Sequence, residues 1–210
     1  MILITGCSRA GSKFTTKLLN ELNIPVGHED LGKAGSCSHY ATGLYIGHRK
    51  LFDSYNFKVK LHQIREPLAN IESLTTIKYW DNGNRGSNMA QGPDLQFVSP
   101  LKVAPDLKDG NLILQCARYW YLYNTTAASF CDWTYKGEDL LTKESVFDEF
   151  CERLGITDIP EYIDIPEEDV HSRKDKSYRP NITWQKLESL DKELTENIQA
   201  FAQQTGYRYE

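Results

Sequence analysis

The sequence predicts an α/β fold, one three-layer αβα domain spanning residues 1–210 around a central parallel sheet. Three observations lead there. Short apolar, β-branched runs alternate with amphipathic helical stretches along the chain, the pattern left by parallel strands joined through crossover helices. The first run, Ile2 to Thr5, ends in a glycine turn that opens a helix. A chain of 210 residues also suffices for one well-buried domain and is short for two.

Ile2 to Thr5 reads as a buried parallel strand. After the turn from Gly6 to Ser12, a helix is expected from about Lys13 to Leu22, with Phe14, Leu18, Leu19 and Leu22 on one face. Ile24 to Gly27 reads as a second strand, closed by His28, Glu29 and Asp30. Residues 31–47, rich in Gly, Ser and His, read as an exposed loop. Phe57 to Ile64 alternates as a strand and ends at Arg65-Glu66-Pro67, where the proline suits the first turn of a helix through Ile71, Leu74 and Ile77. The Gly, Asn, Pro and Asp content of residues 80–110 predicts an irregular excursion, the kind of segment that serves as a lid or substrate loop. A helix over Asn111 to Ser129 carries the aromatic band Tyr119, Trp120, Tyr121 and Tyr123. Trp133 to Tyr135 reads as a strand, Lys143 to Leu154 as a helix closed by Gly155, and Trp184 to Thr205 as one last helix.

Bulk composition narrows the function. A net charge of -5 argues against a duplex nucleic-acid binder, which needs basic faces to neutralise phosphates. No run of about 18 apolar residues occurs, so no membrane span is expected. Met1 to Ile4 is too short for a signal-peptide core and lacks a basic lead-in, so a cytoplasmic location is expected. Cys7, Cys37, Cys116, Cys131 and Cys151 show no zinc-knuckle or CxxC spacing and read as reduced thiols, with no metal site.

The segment Gly6-Cys7-Ser8-Arg9-Ala10-Gly11-Ser12-Lys13 lies between the first strand and first helix, the context in which a turn cradles a phosphate. Glycines let the backbone wrap closely, successive N–H groups point inward, and the helix N-terminus adds partial positive charge. Arg9 can neutralise anionic oxygens and Ser12 can donate a hydrogen bond. An ATPase or kinase loop reads GxxxxGK[ST]. Here serine follows Gly11 and Lys13 comes one place late, which takes the lysine off the loop and the Mg²⁺-binding hydroxyl from its usual place. The plain alternative is a tight turn whose glycines serve packing alone.

Ser8-Arg9-Ala10-Gly11-Ser12-Lys13-Phe14 resembles the 5′-phosphosulfate loop of sulfotransferases that use 3′-phosphoadenosine 5′-phosphosulfate (PAPS), written PKSGTTW or PRSGT. Arg9 falls on the family's basic residue, Gly11 on its glycine and Ser12 on its first Thr, while Ala10, Lys13 and Phe14 replace Ser, Thr and Trp. His62 to Pro67, continuing to Ser73, is similar to the family's 3′-phosphate segment, an Arg-x-Pro followed by a Ser. Tyr135 to Leu140 resembles its late-strand YEDL segment, interrupted by Lys136-Gly137. Arg173, Lys174, Lys176 and Arg179 precede Asn181 to Trp184, where members carry a basic loop that touches the 3′-phosphate.

The resemblance implies a P-loop NTPase-like sulfotransferase fold and PAPS as co-substrate, without a required metal. Gly6 through Lys13, with Arg65, Ser73, Arg173 and Lys174, would hold PAPS, and a hydroxyl or amine of a small-molecule or carbohydrate acceptor would take the sulfuryl group. Arg9 would stabilise the bridging and sulfonate oxygens. A base should follow a neighbouring strand, because open α/β sheets bind ligands at the C-terminal edge, and His28 and Glu29 sit there. The resemblance favours Glu29, since carbohydrate-type members use a carboxylate from this part of the fold. His28 has a suitable pKa without perturbation, whereas Glu29 would need burial to raise its own. His39 and His48 are the next candidates. His62 is expected to be packed and hydrogen-bonded, Trp120 to be core, and Tyr79 and Trp80 to meet the acceptor. Acceptor specificity would lie in residues 31–56 and 80–109. Two other readings stay open: a P-loop kinase using ATP and Mg²⁺, and a noncatalytic nucleotide-binding protein of the same fold.

Overall fold

The computed structural model describes residues 1–39, 55–76, 110–160, 163 and 180–209. Five parallel strands form one sheet: β1 (Ile2–Thr5), β2 (Val26–His28), β3 (Gly35–Cys37), β4 (Val59–Ile64) and β5 (Trp133–Lys136), in the spatial order β2-β3-β1-β4-β5. Among the described residues six α-helices accompany them: α1 (Ser12–Glu21), α2 (Pro67–Thr75), α3 (Leu112–Ala128), α4 (Glu144–Leu154), α5 (Trp184–Leu190) and α6 (Lys192–Gln204). No helix among the described residues is long and apolar enough to cross a membrane.

Helices pack on both sides of the sheet because β4 alternates. Leu61 joins a core cluster with Leu18 and Leu19 of α1 and Phe150 of α4, while Ile64 joins another with Ile71 of α2, Trp120 of α3 and Ile198 of α6. Three residues separate the two, and an odd separation along a strand means opposite faces. Trp120 is fully buried, as its helical position implied.

Two expectations change. Residues 31–47 are not all exposed loop, because Gly35, Ser36 and Cys37 form β3, buried between β1 and β2. The small polar run hid a strand that is walled by strands on both edges. The helix expected from Trp184 to Thr205 is two helices. Asp191 breaks it in an extended conformation (φ -158°, ψ 100°) and caps α6 by accepting from the Leu194 N–H at 3.0 Å. The Arg118 guanidinium meets the same carboxylate at 3.3 Å.

β1 occupies the centre, flanked by β3 and β4, so the chain builds outward from it in both directions. The C-terminal edge at such a reversal is where open parallel sheets leave a crevice. In register along this edge stand Ile4 with Leu61 and Cys37, and His28 with Cys37.

Candidate functional site

The glycine turn leaves β1 at this edge. Gly6 packs so closely on the Gln63 carbonyl that a Cβ would overlap it, and a Cβ on Gly11 would lie 2.9 Å from the Gln63 carboxamide nitrogen. Both Arg9 (φ 68°) and Gly11 (φ 105°) take left-handed backbone conformations, which for arginine is a cost of about 1–2 kcal/mol that the surroundings must offset. A turn bond from the Ala10 N–H to the Cys7 carbonyl, 3.3 Å, closes the loop. The N-cap of α1, which begins at Ser12, is Gly11, and no side-chain cap is made there among the described residues.

The β4–α2 segment supports the turn from below. Gln63 donates to the Ala10 carbonyl at 2.8 Å, while its own oxygen accepts from the hydroxyls of Thr15 at 2.6 Å and Tyr135 at 3.0 Å. Arg65 Nη1 donates to the Arg9 carbonyl at 3.2 Å. Asn70 Nδ2 donates to the Ser8 carbonyl at 3.0 Å. Arg9 returns the contact, its Nε donating to Ser73 Oγ at 3.0 Å across a separation of 64 residues. The structure therefore brings Arg9, Arg65 and Ser73 together, with both arginines half-buried and Ser73 buried.

On the other side of the turn, Ser12 Oγ lies 3.1 Å from His28 Nε2. Glu29 follows in a left-handed conformation (φ 57°). Its carboxylate accepts from Ser38 Oγ at 2.9 Å and from His39 Nδ1 at 2.8 Å, with His28 Nε2 at 3.8 Å. Burial raises the Glu29 pKa, but attraction and hydrogen bonding from His39, with His28 and Ser38 adding, outweigh it and hold the carboxyl below its ordinary value. Burial lowers the His28 pKa; Glu29 opposes that shift, and His39 and Lys13 reinforce it. The route by which burial would raise Glu29 to a useful base is thus closed by its neighbours. The edge presents a neutral imidazole beside an occupied carboxylate.

Arg173 and Lys174 lie outside the described residues, as do His48, Tyr79 and Trp80. Gln63, Asn70, Thr15, Tyr135 and Ser38 were not singled out for the site by sequence reasoning. For Gln63 a signal existed, a polar residue just before the last apolar position of a strand whose neighbours are buried. Lys13 is exposed. Tyr207 and the Glu66 N–H both contact Glu138 Oε1, at 2.8 and 3.0 Å, so the segment resembling YEDL ties the C-terminus to the start of α2. No protein-family model matches the chain, and neither does any curated protein or solved structure.

Proposed function

We propose that the chain is a PAPS-dependent sulfotransferase acting on a hydroxyl or amine of a small-molecule or carbohydrate acceptor. The observation that carries this reading is the meeting of Arg9, Arg65 and Ser73 beside the glycine turn. A nucleotide with an anionic 5′ end and a separate 3′-phosphate needs two cationic positions next to one backbone cradle. Two guanidinium groups and a buried hydroxyl, drawn from segments 56 and 64 residues apart, suit that demand better than a single-phosphate site requires.

The residues fit the group. Left-handed Arg9 and Gly11 let the turn curl its N–H groups inward, and a helix start whose N-cap is a glycine, with no side-chain cap, favours an anion. Gly6 through Lys13 would hold the phosphosulfate end, and Arg65 with Ser73 the 3′-phosphate; Arg173 and Lys174 are carried over to that phosphate by resemblance alone. When bound, PAPS supplies the sulfuryl group that passes to the acceptor atom, leaving adenosine 3′,5′-bisphosphate. Arg9 offers guanidinium N–H groups to oxygens that gain charge, which is worth most when the donors are already fixed. His28, neutral and adjacent to the turn, takes the acceptor's proton. Glu29 stays ionised and holds His39.

Ligand-induced stabilisation tests the assignment. Adenosine 3′,5′-bisphosphate should raise the melting temperature more than equimolar ATP with Mg²⁺, by about 2.7 kcal/mol of stabilisation at 100 times its dissociation constant. Equal or greater protection by ATP with Mg²⁺ transfers the chain to the kinases. Protection by the bisphosphate without any PAPS turnover makes it a noncatalytic binder.

A further inference from the structure

We propose that Gln63, Arg65 and Asn70 are positioning residues that clamp three consecutive carbonyls of the glycine turn and thereby fix its N–H groups to receive an oxyanion. This rests on the reading that the turn takes the anionic end of a ligand, but not on that ligand being PAPS.

The clamp is continuous in sequence on the receiving side. The carbonyl of Ser8 accepts from Asn70, that of Arg9 from Arg65, and that of Ala10 from Gln63, at 3.0, 3.2 and 2.8 Å. All three donors come from one stretch, the end of β4 and the start of α2. In a trans peptide the C=O and the next N–H point to opposite sides of the same plane, and no cis bond occurs among the described residues. Fixing the Ser8 and Ala10 carbonyls toward β4 and α2 therefore turns the N–H groups of Arg9 and Gly11 away from them. The middle N–H, of Ala10, is taken by the Cys7 carbonyl. Left-handed Arg9 and Gly11 give the alternation of backbone conformations that builds an N–H-lined concavity. Without the clamp, a turn with two glycines could rotate a peptide plane and present a carbonyl, which repels an oxyanion.

Two further observations say that this arrangement is specified. The Gln63 N–H₂ faces Ala10 because that carbonyl can only accept, and the Thr15 and Tyr135 hydroxyls donate to the carboxamide oxygen on its other side. Asn70 is fully buried, yet its Oδ1 has no hydrogen-bond partner among the described residues. A buried unpaired acceptor is unfavourable. What the Asn70 carboxamide contributes there is therefore its nitrogen, on the Ser8 carbonyl.

That asymmetry supplies a readout that a merely structural role would not give. Inorganic pyrophosphate and adenosine 3′,5′-bisphosphate are titrated calorimetrically into the full-length protein and its variants, with melting curves recorded alongside. Asn70→Leu should bind pyrophosphate about tenfold more weakly with a melting temperature that does not fall in step. Thr15→Val and Tyr135→Phe should each weaken it less than about threefold, while the double variant, whose Gln63 oxygen loses both of its anchors so that the side chain can leave the Ala10 carbonyl, should lose about tenfold or more. If Asn70→Leu fails to fold, the Thr15/Tyr135 pair decides, because there the carboxamide itself is kept. Affinities within about twofold of the unmodified protein in every folded variant overturn the clamp, as does an unmodified protein that binds neither anion. Pyrophosphate binding with no preference for the bisphosphate sinks the PAPS reading and leaves the clamp standing.

Discussion

Glu29 Oε1 lies 2.8 Å from His39 Nδ1, a contact that keeps the carboxylate occupied at the β2 edge. A carboxylate bound by His39 and Ser38, with its pKa held below the ordinary value, is a weak base at neutral pH. His28 is neutral at that pH and touches the turn through Ser12. His28→Ala should therefore lower PAPS turnover by about two to four orders of magnitude while adenosine bisphosphate affinity stays nearly unchanged. Glu29→Gln should cost less than about tenfold. Steady-state rates with a responsive acceptor, or PAPS hydrolysis as a slow proxy, read the difference. Full turnover in His28→Ala removes the imidazole from the mechanism and makes His39 the next residue to vary.

Arg65 and Ser73 are separable by the size of the loss. Arg65→Ala should weaken binding of the bisphosphate by roughly 1.5–3 kcal/mol, the loss of a charge-assisted contact. Ser73→Ala removes a neutral hydroxyl that also orients Arg9, so about 1 kcal/mol is expected. Isothermal titration gives both numbers directly. Unchanged bisphosphate affinity in Arg65→Ala would remove Arg65 both from the 3′-phosphate and from any part in presenting the turn to an anion.

How far the fold could be read from the chain depends on where apolar periodicity survives. β1, β4 and the long α3 carry it and come within a residue or two of their observed ends. β3 does not, since Gly35-Ser36-Cys37 has no large apolar side chain and is buried only because strands flank it on both sides. The break at Asp191 is a capping event inside an otherwise continuous amphipathic pattern. At the site, arginines at a strand end and a glycine turn between a strand and a helix stand out in a sequence, so Arg9, Gly11 and Arg65 were visible. Gln63 and Asn70 act by turning backbone carbonyls. Such work depends on contacts 53 and 62 residues away in sequence, which no local pattern encodes.

His62 makes the pH dependence testable. Asn124 Nδ2 donates to the Trp120 carbonyl at 2.8 Å, so its oxygen is the atom facing His62 Nε2 at 3.0 Å, and Nε2 carries the proton. Nδ1 then accepts from Thr134 at 3.0 Å. Burial drives the pKa down from 6.5 to about 4, only partly opposed by the hydrogen bond to Asn124. A lowered pKa means the unfolded chain binds the proton first. This contribution therefore costs nothing above about pH 6.5 and destabilises progressively as pH falls toward 4, by roughly 3 kcal/mol in all. Denaturant melts between pH 7 and pH 4 should show that slope, and His62→Gln should flatten it. A slope unchanged in the variant assigns the effect to other groups.

Gly35 tests whether β3 is placed where the site needs it. Its φ is 152°, and a Cβ built on it would overlap the Ile2 carbonyl, the backbone of the strand it pairs with. Nothing flexible stands in the way to yield, so alanine there must break the β1–β3 register. Losing that register also displaces β2, which is paired to β3 through Val26 and Gly35, and with it His28, Glu29 and Ser38. Gly155 is the matched control: it is left-handed at φ 68°, with no atom within 4 Å of the position a Cβ would take. Gly155→Ala should cost only the conformational term, about 1–2 kcal/mol. That corresponds to a fall of about 2–8 °C in melting temperature for a domain of this size. Gly35→Ala should cost more than about 4 kcal/mol, the range reserved for severe steric conflict, and should abolish anion binding in whatever fraction remains folded. Thermal melts of the two variants side by side settle the comparison. Equal losses in both would mean that β3 does not pack edge-on against β1, and the His28–Glu29–Ser38 cluster would lose its foundation.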